Sequence, residues 1–215
     1  MTISPEELKS IRDDYGDLQL DIADLFDSPI QQFEKWFSEA LEAEIKEPNA
    51  MALATVNEDS PRARYVLFKG LEGEGLIFHT NYQSSKAQEI KSNNEVAVVF
   101  YWREIHRQIR VEGIAEKAPK QISDSYFDTR PRGGQLSALA SPQSKVIKSR
   151  KEIEKKIDKL DRKYGSKQIN RPENWGGYII QPIAWEFWQG RKNRTHDRFR
   201  YQRISSKWKI YRLAP

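Results

Sequence analysis

The chain contains no cysteine, which excludes disulfides, thiolate chemistry and zinc–sulfur sites. It has no apolar run approaching the length of a membrane span, and its start, MTISPEELKSIRDDYGD, has no apolar core of the signal type. We therefore expect no membrane association and a cytoplasmic location. Only three histidines occur, His79, His106 and His196. They are far apart and lack neighbouring carboxylates at a metal-binding spacing, so no metal site is expected. A Walker loop and a G-x-S-x-G elbow are also missing. Gly73-Glu74-Gly75 lacks the third glycine of a dinucleotide fingerprint and runs into a strand-type segment, so it reads as a hairpin turn. Charge of one sign is in small excess. Against 36 Lys and Arg stand 31 Asp and Glu, for a net +5, and this scattered surplus does not by itself argue for nucleic acid.

What is present suits one sizeable core in 215 residues. Residues 1–27 form a polar N-terminal segment, with a short helix after Pro5 and a mobile first part. Residues 28–215 read as a single domain. Ser28-Pro29 resembles an N-cap and first-turn proline. Behind it Ile30, Phe33, Trp36, Phe37, Ala40, Leu41 and Ile45 recur at helical spacing until Pro48. Strand-type runs follow at 50–56, 63–69 and 76–81, then at 95–102 and 108–118, and the last lie at 175–190 and 207–213. Helices are expected over 84–93, 119–139 and 144–164, the last a solvated surface helix with Glu152 and Lys156, and Asp158 and Arg162, at four-residue spacing. Strands joined mostly by tight turns predict an α+β, mainly β architecture, an antiparallel barrel with surrounding helices.

The segment EFWQGRKNRTHDRFRYQR, from Glu186 to Arg203, sets a dense group of cations beside Trp185, Phe187 and Trp188. Composition alone leaves open a charged hairpin tip or a site for a planar anion, which forked guanidiniums both stack on and grip. Arg64 and Lys69 bracket the strand RYVLFK, on opposite faces unless the strand twists or bulges at its end. TNYQSSKA leads from a strand into a helix start, where amides and dipole favour an anion, although ordinary capping reads the same way. YFDTRPRGGQ offers Tyr126, two arginines and a glycine pair. Gln143 and Ser144 repeat the capping theme at the start of the long helix.

In this order RYVLFK, TNYQSSKAQEI, YFDTRPRGGQ, EFWQGRKNRTHDR and the closing WKIYRLAP resemble the pyridoxamine 5′-phosphate oxidase family, FMN enzymes of the split-barrel flavoprotein superfamily. The resemblance runs from about Ser28 to Pro215. It implies an FMN-binding split barrel. It implies oxidation of pyridoxamine and pyridoxine 5′-phosphates to pyridoxal 5′-phosphate with O2 as acceptor. It also implies a homodimer whose sites are shared across the interface. FMN is implied at Arg64, Lys69, Thr80, Lys86, Gln108, Gln143, Ser144, Trp188 and Arg198, with His79 touching the flavin. The substrate phosphate falls to Lys69, Tyr126 and Arg130, and the pyridine ring to Arg194 and His196, the candidate catalytic pair. Two positions depart from the pattern. Ser85 replaces an arginine of the FMN-phosphate site, and Gly134 replaces a serine of the substrate-phosphate site, where a backbone N–H could take over the contact.

Overall fold

The structure is a computed structural model that describes residues 4–10 and 15–215. The expected mobility of the first residues concerns in part positions 1–3 and 11–14, which lie outside the described residues. Helices are α1 (Pro5–Ser10), α2 (Pro29–Glu42), α3 (Ser85–Ser92), α4 (Lys120–Asp128), α5 (Arg132–Ala140) and α6 (Arg150–Tyr164). Strands are β1 (Ala50–Asn57), β2 (Ser60–Leu67), β3 (Leu71–Glu72), β4 (Gly75–Asn81), β5 (Glu95–Trp102), β6 (Arg107–Lys117), β7 (Trp175–Gln189), β8 (Asp197–Ile204) and β9 (Lys207–Leu213). The fold class is the mainly β, antiparallel split barrel with surrounding helices that the sequence led us to expect.

The chain forms two compact units, residues 1–48, 99–111 and 184–215, and residues 49–98 and 112–183. In the first, α2 begins at Pro29, whose fixed φ and missing N–H are harmless at a first helical position. Its buried Phe33 ring stands 5.4 Å from Phe100 and 5.5 Å from Trp185, and Trp36 stands edge-on to Phe187 at 5.3 Å. Truncating Trp36 to alanine would cost about 3–5 kcal/mol. The helix stops before Pro48. Glu44 turns to φ +53, and the Ile45 N–H reaches back to the Ala40 carbonyl at 3.3 Å, satisfying an end carbonyl. Residues 184–189 of β7 pair with β8, and β8 with β9. Strand β8 lies inside the cationic segment, where no strand was expected. Its alternation of half-buried Arg198 and Arg200 with buried Phe199 and Tyr201 is a period-2 signal masked by charge.

In the second unit the strand order is β2-β1-β5-β6-β7-β4-β3. The turn at Gly73 and Glu74 joins the short β3 to β4 as expected, with Gly73 at φ +57. The expected helix over 119–139 is two helices, because Pro131 cannot donate within a helix and restricts Arg130 before it. The long helix begins at Arg150, not at Ser144. Ser144 has φ +70, residues 144–149 are non-helical, and Val146 is fully exposed. Gln143 and Ser144 therefore do not cap that helix. From α6, Ile157, Leu160 and Tyr164 pack around Phe127, Leu136, Ile169 and Trp175. Its outer face closes an ion pair between Arg150 and Glu154, 2.9 Å.

Candidate functional site

The expected site residues fall into two groups, one in each unit. In the second unit Arg64 lies opposite Leu53 in the β1–β2 register. Its guanidinium donates to Glu89 Oε2 at 2.6 Å and to the Thr55 hydroxyl, which in turn donates to the same carboxylate. Glu89 is buried. Burial alone would raise its pKa, but the bonds from Thr55 and Arg64 outweigh this and hold it ionised, below the usual carboxylate range. Lys86, in the first turn of α3, is also buried and donates to Thr80 Oγ1 at 3.2 Å. Burial, with the neighbouring Arg64 charge, lowers its pKa. Helix α3 has no side-chain cap, because the hydroxyl of Ser84 lies by that of Thr80 instead, at 3.4 Å. At this uncapped start lies a cavity of about 530 Å³ lined by Arg62, Arg64, Ser85, Glu89, Ser144 and Lys145 among others.

A second cavity, of about 220 Å³, is lined by His79, Thr80, Arg130, Gln143 and Trp175 among others. Gln143 Oε1 accepts from the Thr80 hydroxyl at 3.2 Å and the Asn81 N–H at 3.1 Å, which ties residues 141–149 to the end of β4. His79 is stacked at 4.0 Å on Tyr126 and 5.4 Å on Trp175. Strand β7 admits the ring because His79 faces Gly177, where a Cβ would stand 3.2 Å from Nε2. Neither ring nitrogen has a hydrogen-bond partner. Burial first, then the charges of Arg130, Lys69 and Arg171, push the His79 pKa down to about 4, so the ring is neutral near pH 7.

Lys69 Nζ lies 5.7 Å from the Tyr126 ring centroid, and the Arg130 guanidinium lies 4.7 Å from that of Trp175. The two-face problem of Arg64 and Lys69 resolves through a change of strand partner. Phe68 still donates to Asn49 near β1, whereas Lys69 donates to Ile77 of β4. Arg130 also donates to the Gly134 carbonyl at 2.9 Å. The Gly134 N–H is already given to Pro131, 2.8 Å, so it is not the amide that replaces a serine hydroxyl. The other arginine of RPRGG, Arg132, is committed to Asp161 and to the carbonyls of Gly165 and Lys167, and so clamps α5 to the end of α6.

In the first unit, Trp188 and Arg198 are direct cross-strand partners of β7 and β8. Arg198 donates to buried Glu186 at 2.9 Å and to the Ala214 carbonyl at 2.9 Å. Gln108 lies on β6, half-buried. His196 is 4.6 Å from Trp188, ring to ring, and its Nδ1 accepts the Arg191 N–H at 3.1 Å. That bond fixes the neutral tautomer with the proton on Nε2. Its pKa is lowered by burial and by Arg194 and Arg198, against an opposing pull from Asp197. Asn193 and Arg194 both adopt left-handed φ, +57 and +63, which costs a non-glycine residue on the order of 1 kcal/mol or more and marks a loop held by its surroundings.

Residues 37–164 match the pyridoxamine 5′-phosphate oxidase family, and residues 175–215 match the pyridoxine 5′-phosphate oxidase C-terminal dimerisation region. The chain belongs to the pyridoxine/pyridoxamine 5′-phosphate oxidase family. The family's relative from Salinibacter ruber is 46% identical over 97% of this chain and 99% of its own length. The relative from Rubrobacter xylanophilus is 50% identical over 87% of each. Both carry the name pyridoxine/pyridoxamine 5′-phosphate oxidase. The crystal structure of PhzG from Burkholderia lata 383, in complex with tetrahydrophenazine-1-carboxylic acid, is similar with a TM-score of 0.88. It is 28% identical and covers 94% of this chain and 100% of that one.

FMN is the cofactor that the resemblance implies, and the residues present fit it. A cationic cavity at an uncapped helix start suits a phosphate monoester, and a half-buried imidazole whose two buried nitrogens are unpartnered suits a polar ring system. Several residues of the site escaped the sequence reading. Glu89 positions Arg64, while Lys145 lines the same cavity as Arg62 and Arg64. Tyr15 packs at 5.1 Å on both His106 and His196, at 5.8 Å on Trp188, and 5.9 Å from the Arg194 guanidinium. Gly190 makes that packing possible, since a Cβ there would stand 2.8 Å from the Tyr15 ring. An aromatic residue in an otherwise polar N-terminal segment was the available signal for Tyr15.

Proposed function

We propose that this chain is an FMN-dependent oxidase converting pyridoxamine and pyridoxine 5′-phosphates to pyridoxal 5′-phosphate, with O2 as acceptor, and releasing H2O2 and, from the amine, ammonia. The observation that carries this reading is the cationic, uncapped start of α3 beside the His79–Tyr126–Trp175 stack, in a chain with the family's two matched segments. When bound, FMN supplies the hydride acceptor for the substrate's 4′ carbon.

Arg64, Ser85 and Lys86 hold the FMN phosphate. Lys69, His79, Thr80, Gln108, Gln143, Ser144, Trp188 and Arg198 hold the rest of the cofactor. Lys69, Tyr126 and Arg130 grip the substrate phosphate, with Gly134 leaving Arg130 its place. Arg194 and His196 orient the pyridine ring, and Tyr15 walls it from water. With Nδ1 occupied by the Arg191 N–H, neutral His196 can donate a hydrogen bond from Nε2 to a ring oxygen or nitrogen. Its role is orientation of the ring more than removal of a proton. Such positioning can account for several kcal/mol of a barrier, about 7 in favourable cases.

The C-terminal dimerisation match supports a homodimer, and we assign the two groups of site residues to sites shared between its subunits. The protein acts in the cytoplasm in this reading, without nucleic acid or membrane; no described helix is long and apolar enough to cross a membrane.

The likeness to PhzG favours one second reading, an FMN oxidase of another ring substrate. Identities of 46% and 50% to the vitamin B6 oxidases, against 28% to PhzG, weigh for the first. Oxygen consumption by the FMN-loaded protein, with pyridoxine and pyridoxamine 5′-phosphates and with the unphosphorylated vitamers as controls, tests it. Turnover of neither phosphate would overturn it.

A further inference from the structure

We propose that Arg62 and Lys145 are ligands of the FMN phosphate in this chain, carrying the charge of the arginine that Ser85 replaces in the family's pattern. The inference rests on the FMN reading above. Arg62 lies two residues before Arg64 on β2, opposite Thr55, so the two arginines share one face of the strand. Both line the cavity at the start of α3, together with Ser85, Ser144 and Lys145. Lys145 reaches it through a turn. Ser144 takes φ +70, and the Lys145 N–H bonds back to the Pro142 carbonyl at 3.0 Å.

Arg64 is neutralised by Glu89 at 2.6 Å. Lys86 is buried behind Thr80, with its charged form disfavoured by desolvation and by Arg64. Arg62 and Lys145 are the exposed cations that remain on the cavity wall. Their combined charge matches the roughly −1.5 to −2 of a phosphate monoester at pH 7. Ser85 is exposed in the first turn of α3 and lines the same cavity as Arg62 and Lys145, so an arginine there would add a third like charge to that wall. The short serine leaves the uncapped amides of the helix to the anion while strand and turn supply the cations.

The test is titration of FMN, and in parallel of riboflavin, into apo-protein, followed by quenching of flavin fluorescence. The panel is wild type, R62A, K145A, the double variant, and S85R in the wild-type and double-variant backgrounds. Thermal melts of the apo forms check that each is folded. Each single change should weaken FMN binding about tenfold, the size expected for one hydrogen bond to a charged group. The double change should weaken it on the order of a hundredfold. Riboflavin binding should not change in any of them. S85R should not tighten FMN binding in wild type, but should restore at least about tenfold in the double variant. Wild-type FMN affinity in the double variant would overturn the proposal, as would an equal loss of riboflavin binding. So would a tenfold tightening by S85R alone, which would mean that position 85 is an unfilled phosphate contact. If wild type bound riboflavin and FMN equally poorly, the FMN reading itself would fall, a result distinct from the others.

Discussion

Replacing Glu89 with glutamine keeps the shape of the side chain and removes its charge. In the folded protein that carboxylate accepts from Thr55 and Arg64, and it is the counter-charge for Arg64 at 2.6 Å. Losing one member of a buried ion pair costs about 3–5 kcal/mol when both are fully buried. The Arg64 side chain is 23% exposed and the glutamine keeps one acceptor, so we expect about 2–3 kcal/mol. For a chain of this length, 1 kcal/mol moves the melting temperature by about 2–4 °C, and the apo variant should melt about 5–10 °C lower. The pH dependence has a definite sign. The folded pKa of Glu89 lies below the usual 4.5. Its contribution is therefore present above the unfolded value and is lost as pH falls through the folded one. Wild type and variant should converge in acid. FMN should raise the melting temperature of the variant more than that of wild type, because its phosphate replaces the missing negative charge beside Arg64 and Lys86. Circular-dichroism melts of apo and FMN-loaded forms at pH 7 and in acid provide the measurement. An apo variant within about 1 °C of wild type at pH 7, or an FMN shift no larger than that of wild type, would refute the reasoning.

The neutral, half-buried His79 should make stability fall as pH drops from 6.5 towards 4, because the unfolded chain binds the imidazole proton in that window and the folded protein does not; His79→Phe should flatten this slope in denaturant titrations across those pH values. Arg194→Leu and His196→Asn should each lower kcat/KM at least about tenfold, the scale of one lost charge-assisted or oriented contact, with the flavin spectrum and FMN occupancy unchanged; steady-state kinetics on FMN-saturated protein decide this. Gly190→Ala should displace Tyr15, since the new Cβ would meet its ring at 2.8 Å and the His106 Cβ at 2.9 Å. Faster proteolysis of the N-terminal segment, without loss of the thermal transition, is the expected result.

Much of the fold was legible because its period changes are abrupt. Phe33, Trp36 and Ala40 announce α2, and the alternation in β1 and β5 announces the sheet. Where the reading failed, a local signal was overridden or hidden. Charge hid the alternation of β8, Pro131 divided a continuous helical composition, and an unforeseen left-handed turn at Ser144 delayed α6 to Arg150. Of the candidate site, the residues carried by contiguous motifs were nameable from their order alone. Those that act through distant partners were not. Glu89 reads as an ordinary helix-surface glutamate until the fold brings Arg64 and Thr55 to it, and no spacing rule brings Tyr15 to His196 across the intervening chain.

One carboxylate, Asp197, accepts from the Leu20 N–H at 3.1 Å, from Arg191 at 3.0 Å and from Arg212 at 3.3 Å. It thus knots the entering chain, the loop bearing Arg194 and His196, and the final strand around a single charge. Removing that one charge, as in Asp197→Asn, should therefore loosen the segment that follows Tyr15, the loop of Arg194 and His196 and the final strand together.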